Sequence, residues 1–166
     1  MFILDESSRV VDKSVVLLPG AGRSLSVPGC TALCKVGGEE TGGAWAAVEC
    51  TLAPDAPGLP LHVNTQEDQA FYILQGTLTF RLGERTVYAS AESLVFVPRG
   101  SVHTFRNLGG EPVRFLCVVS PAGLEKSFTD LLELLKEGPA WSHVISRLIP
   151  LYRKYGLQIK GPPLNK

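Results

Sequence analysis

Four polar side chains stand where chemistry could be done. His62 and Asn64 lie two residues apart in LHVN, Gln69 follows the turn TQED, and His103 follows Pro98-Arg99-Gly100. Alternate residues of a strand face the same side. His62 therefore shares a face with Asn64, Gln69 with Phe71 and Ile73, and His103 with Phe105. Histidine moves protons near neutral pH. An amide offers one carbonyl acceptor and two N–H donors, and in an apolar interior such groups need partners, which a ligand can provide. The set suits proton transfer, enolisation, cyclisation or dehydration by orientation and polarisation, none of which requires a metal. The competing use of the same residues is a metal site of His62, His103 and Gln69. Two imidazoles and neutral amides hold a first-row divalent ion weakly, however. The nearest carboxylates, Glu67 and Asp68, sit in the turn before Gln69.

The elements that must position these residues are short. AWAAVECTL (44–52), LHVN, QAFYIL, TLTFRL, TVYA, LVFVP, HTFRN and VRFLCVVS read as strands. Turn residues separate them: APDAPGLP, Gly76 as a hairpin turn, Gly83, PRG and LGGEP. Strands at this spacing with no helix between them predict an all-β sandwich or closed barrel. After SPAG the period changes. Leu124, Phe128, Leu131, Leu132 and Leu135 follow helical spacing, with Gly138 and Pro139 as the stop. WSHVISRLIPLYRKYG is a second helix, in which Pro150 is expected to cause a break or kink. LQIKGPPLNK reads as extended. This divides the chain into an N-terminal arm (1–34), a barrel (35–120) and a helical extension (121–166) that packs on the barrel or on a partner subunit.

Other residues could join the site. Arg81, Trp45 and Glu49 are candidates to line the cavity with Phe71, Ile73 and Phe105. Trp45 and Glu49 share a strand face, and the pattern leaves open which face is inward. Arg99 reads as a structural or surface residue of its turn, and His143 as structural or surface. Tyr152, Arg153, Lys154 and Tyr155 read as a solvated helix end, with the barrel mouth as the alternative.

Composition narrows the classes. The 166 residues suit one domain, and 45% hydrophobic with 19% charged residues argues against disorder. The 16 basic and 16 acidic residues balance, so no field draws in nucleic acid. No apolar run is long enough for a membrane span. MFILDESS lacks the basic start of a signal peptide, so a cytoplasmic location is expected. Cys30 and Cys34 have no second pair of metal-binding spacing, so the four cysteines read as small apolar thiols.

The chain resembles the cupin superfamily, in particular the small single-domain cupins called quercetin-dioxygenase-like. The first cupin motif, G-x5-H-x-H-x(3,4)-E-x6-G, meets APGLPLHVNTQEDQAFYILQG. His62 and Gly76 match, while Ala56, Asn64 and Gln69 replace Gly, His and Glu. The second, G-x5-P-x-G-x2-H-x3-N, meets ESLVFVPRGSVHTFRN. Pro98, Gly100, His103 and Asn107 match, and Glu92 replaces the Gly. EETGGAW, SPAGLEKSF and KYGLQIKGPPL are similar to that subgroup's flanks.

The resemblance implies a cupin double-stranded β-helix (jelly-roll) barrel with C-terminal α-helices, commonly a homodimer. Its members usually hold Fe, Mn, Ni or Zn on three His and one Glu, of which His62 and His103 remain. The expectation is an enzyme for a small apolar oxygenated molecule, with no metal cofactor, of cyclase, isomerase or dehydratase type in natural product biosynthesis. His62 and His103 would be catalytic, and Asn64 and Gln69 would orient the substrate. The alternatives are a quercetinase-like dioxygenase with an atypical divalent metal (Fe, Ni, Mn or Zn), and a non-catalytic ligand-binding cupin.

Overall fold

A computed structural model describes residues 8–54, 56–136 and 141–165. The strands are β1 (Ser8–Val11), β2 (Ser14–Leu17), β3 (Arg23–Ser24), β4 (Cys30–Val36), β5 (Ala46–Leu52), β6 (Leu61–Asn64) and β7 (Asp68–Gln75). They continue as β8 (Thr77–Leu82), β9 (Arg85–Ser90), β10 (Leu94–Val97), β11 (Val102–Arg106), β12 (Val113–Ser120) and β13 (Leu157–Gly161). The helices are α1 (Gly38–Thr41), α2 (Glu125–Lys136) and α3 (Trp141–Lys154). A six-stranded sheet runs β10-β7-β12-β5-β4-β3 and a five-stranded sheet runs β13-β6-β11-β8-β9. All pairings are antiparallel, and β1 with β2 forms a separate hairpin. The two sheets face each other as a jelly roll.

Alternation explains the burial. In VRFLCVVS, Val113, Phe115, Cys117 and Val119 are buried while the residues between them face out. Phe71 and Ile73 of β7 and Leu78 and Phe80 of β8 join them in one core. Phe71, Phe80, Phe105 and Phe115 pack with ring centroids 5.2–6.0 Å apart, within the range that aromatic pairs favour. The outer face of the six-stranded sheet is less well covered: Tyr72, Leu74, Leu94 and Phe96 are exposed there, with Leu94 opposite Tyr72 and Tyr72 opposite Leu116.

Three local expectations change. Gly76 does not turn a hairpin: β7 and β8 belong to different sheets. Gly76, at φ +80°, turns the chain across the corner between them, and a Cβ there would lie 3.1 Å from the carbonyl oxygen of Pro112. One short helix, α1, does interrupt the strands. Pro150 lies inside α3, which continues through it; the ring costs one backbone hydrogen bond without ending the helix. Gly138 and Pro139, the expected stop after α2, lie outside the described residues.

Both sheets also take strands from outside residues 35–120: β3 and most of β4 on one side, β13 on the other. Leu157 of β13 pairs with Asn64, so α3 delivers the chain to the end of β6 that carries the polar cluster. β12 ends opposite Asp68, at the start of β7, so α2 begins at that same end. The Glu125 carboxylate accepts hydrogen bonds from the Gly38 N–H at 3.1 Å and the Gly123 N–H at 2.6 Å, tying α1 to the start of α2. Leu124, Phe128, Leu151, Tyr152 and Tyr155 are buried or half-buried at this end, and all but Leu151 pack on the core.

Candidate functional site

The register builds the site directly. β11 pairs with β6 so that His103 lies opposite His62, and the two rings sit with centroids 4.5 Å apart. Gly100 donates its N–H to the Asn64 carbonyl at 2.8 Å, so the PRG turn sets where β11 starts. Gln69 enters from the opposite sheet as the first inward residue of β7. Asn64 Nδ2 lies 2.6 Å from Gln69 Oε1, and His103 Nε2 lies 3.0 Å from the same atom. His62, Asn64, Gln69 and His103 are all buried. The structure therefore brings together the four residues whose types and spacing pointed to chemistry.

Each ring is fixed from behind by a backbone carbonyl. His62 Nδ1 lies 2.7 Å from Pro60 O, and His103 Nδ1 lies 3.0 Å from Ser101 O. A carbonyl only accepts, so both Nδ1 atoms carry hydrogen and a neutral ring keeps its lone pair on Nε2. Burial, and then the nearby His103, push the His62 pKa down to about 4, against a smaller upward pull from the Pro60 carbonyl. Burial also lowers the His103 pKa. Both rings are therefore neutral at neutral pH, and His62 Nε2 is available as a base.

The other candidates are placed differently. Phe71, Ile73 and Phe105 face inward but belong to the packed core beneath the histidines. Arg81 points out, with Nε donating to Gly83 O at 3.2 Å, because Leu78, Phe80 and Leu82 take the inward phase of β8. Trp45 is exposed. Glu49 faces out of β5, since Val48, Cys50 and Leu52 fill the core. It pairs at 3.3 Å with both Lys35 and Arg114. Arg99 holds Asp68 in a two-pronged exposed ion pair with both contacts at 3.1 Å. Tyr152 and Tyr155 are half-buried against the core, whereas Arg153 and Lys154 are exposed. The His143 side chain lies outside what is described.

Two residues at the site escaped the motif comparison. Cys117 of β12 faces inward one pair along from Gln69, and burial pushes its thiol up to about 12. Its inward phase between Phe115 and Val119 was the available signal. Glu67 is buried, with Oε2 unpartnered among the described residues, and burial raises its pKa. A glutamate in a polar turn gives no sequence signal of burial.

The donor set does not fit a tightly held metal. It offers two imidazole nitrogens and two neutral amides without an anionic ligand. Among the described residues no three His, Cys, Asp or Glu side chains come together in a way that could hold an ion. Asp68 is turned out to Arg99, and Glu67, though buried, does not complete a group with the histidines.

Residues 48–119 match the family model described as a cupin domain. A comparison with curated proteins finds no match. Among solved structures the chain is similar to KdgF from Halomonas sp., at 21% identity over 58% of this chain and 83% of that one, TM-score 0.52. It is similar to the EutQ protein of Clostridium difficile at 19% identity, over 69% and 86%, TM-score 0.51. A predicted oxalate decarboxylase from Thermotoga maritima gives 24% identity, over 55% and 80%, TM-score 0.51. These likenesses are of fold. No helix among the described residues is long and apolar enough to cross a membrane. The matched segment, residues 48–119, supplies the central strands and both inward histidines of a chain that folds as a jelly-roll β-barrel with a few helices.

Proposed function

We propose that this cupin barrel is a metal-independent enzyme that moves a proton within a small, largely apolar oxygenated substrate, as an isomerase, cyclase or dehydratase does. The observation that carries the reading is the pair of neutral, buried imidazoles, each anchored through Nδ1 on a backbone carbonyl. His62 Nε2 takes a proton from a carbon or hydroxyl of the substrate, and the resulting imidazolium returns it at another position. The step is redox-neutral and needs no co-reactant. The fixed rings supply orientation, and Asn64 and Gln69 supply polar contacts where charge develops. The Phe cluster closes the barrel below Phe105, so the substrate binds at the end covered by α2 and α3.

The test begins with small carbonyl compounds that raise the melting temperature of the protein, followed by proton NMR of their exchange with deuterated water. The wild type is expected to wash deuterium into the acidic position. The double variant His62→Ala/His103→Ala is expected to lose about 10²-fold or more of this rate, the scale of general acid–base catalysis, while keeping its β-sheet circular dichroism. A folded double variant that exchanges at the wild-type rate overturns the roles of the histidines. Stabilisation without exchange favours the non-catalytic ligand-binding reading. The quercetinase-like reading requires a tight metal site, which the donor set disfavours.

A second copy of the chain belongs to the same proposal. The exposed apolar residues Tyr72, Leu74, Leu94 and Phe96 lie on one sheet face, continuous with Leu116 and Val118. An isologous dimer pairs such a patch with itself. Light scattering is expected to give the mass of two chains for the wild type and of one for Phe96→Asp. A wild-type mass of one chain contradicts this part of the reading.

A further inference from the structure

The hydrogen bonds around Gln69 contain a conflict whose resolution says what Asn64 presents to a ligand. His103 Nδ1 faces the Ser101 carbonyl at 3.0 Å and so carries the ring's hydrogen. His103 Nε2 faces Gln69 Oε1 at 3.0 Å, which also only accepts. A neutral imidazole has one N–H, so it cannot donate to both. Protonating the ring would satisfy both contacts, but it would place a cation on a side chain only 1% exposed and 4.5 Å from the His62 ring. The atoms of an amide are alike in size, and only the hydrogen bonds decide which is oxygen and which is nitrogen.

Turning both amides resolves every contact at once. The Gln69 nitrogen then has one hydrogen for His103 Nε2, across the 3.0 Å contact, and one for the Asn64 oxygen, across the 2.6 Å contact. The Gln69 oxygen is then free to accept from the buried Cys117 thiol, which faces inward one pair along on β12. Turning Gln69 alone would set its nitrogen against the Asn64 nitrogen, donor to donor, so the two amides move together. Within this network one atom has no partner among the described residues: the other atom of the Asn64 amide, buried in a residue that is 2% exposed. In the resolved arrangement that atom is the NH2.

We infer that Gln69, braced by Cys117, fixes His103 as a bare-Nε2 tautomer and turns the Asn64 NH2 into an unpaired donor for an acceptor-only oxygen of the ligand. Carbonyl, carboxylate and enolate oxygens are of this kind. The ligand part rests on the proposed proton-transfer reading and specifies it. The Asn64 donor holds the oxygen on which negative charge grows while His62 Nε2 removes the proton. Gln69 and Cys117 are positioning residues in this scheme and do not touch the substrate.

The experiment is nitrogen-15 NMR on the wild-type full chain at neutral pH, which needs no variant and no turnover. The His103 ring is expected to show a protonated Nδ1 and an unprotonated, pyridine-type Nε2. A protonated Nε2, as the other tautomer or as imidazolium, overturns the network. Benzoate, an apolar molecule whose polar atoms only accept, is then titrated into the labelled protein. The Asn64 side-chain NH2 resonances are expected to shift to saturation, and Asn64→Leu is expected to weaken benzoate binding at least tenfold. A bare Nε2 on His103 with Asn64 signals unmoved by benzoate overturns the donor role of Asn64. Loss of catalysis alone, with both NMR signatures intact, counts against the proposed function and leaves the hydrogen-bond assignment standing.

Discussion

Substituting Asn64→His together with Gln69→Glu is expected to convert the site into a tight divalent metal centre. The two positions are already in contact at 2.6 Å and face the His62–His103 pair. The exchange adds a third imidazole and the anion that the native set lacks. Removing an outer-shell partner of a metal site costs about 10–100-fold in affinity. Restoring two direct ligands is therefore expected to tighten Ni²⁺ or Zn²⁺ binding by more than about 10³-fold. Calorimetric titration of both proteins measures it. A folded double variant that binds these ions no better than the wild type would show that the backbone no longer holds the ligand positions in coordination geometry.

The second large effect is on stability against pH. His62 has a folded pKa of about 4, against about 6.5 in an unfolded chain. Its folded pKa is depressed, so on acidification the unfolded chain binds the proton first. The contribution is intact above about pH 6.5 and is lost as pH falls towards 4. A shift of this size corresponds to about 3 kcal/mol. Glu67 opposes it, since burial raises its pKa and its contribution shrinks as pH rises. The comparison must therefore be with His62→Gln, which removes the imidazole titration and leaves Glu67 in place. Urea unfolding between pH 7 and pH 4 is expected to show a steeper loss in the wild type than in the variant. Equal slopes would mean that His62 is not held neutral by burial.

Much of this arrangement was legible in the sequence, because β strands declare their inward face through period-two alternation. QAFYIL set Gln69, Phe71 and Ile73 on one side and Ala70, Tyr72 and Leu74 on the other, and the structure buries the first set and leaves the second half-buried or exposed. The motif positions pointed to His62 and His103 converging in the barrel, and the register places them opposite each other. The inward face of β5 was left open, although AAVECTL carries Ala46, Val48, Cys50 and Leu52 on one phase and Glu49 and Thr51 on the other, an alternation that already turns Glu49 outward. Arg81 was misplaced among cavity residues although its neighbours Phe80 and Leu82 already claimed the inside. Gly76 looked like a hairpin turn because a positive-φ glycine serves equally well at a corner between sheets. The inward phase of Cys117 was legible, but its place beside Gln69 depends on the pairing of β12 with β7, to which local pattern has no access.

Proton transfer at His62 and His103, as proposed, proceeds without a resident metal. The measurement that tests it most directly is metal content per chain by elemental mass spectrometry. The protein is purified tag-free without chelator, and measured again after incubation with excess Fe²⁺, Ni²⁺, Mn²⁺ or Zn²⁺ and desalting. Well under one ion per chain is expected in both states, with no gain after loading. One tightly held ion per chain would contradict it and would return HVNTQEDQ to the metal-binding strands it resembles.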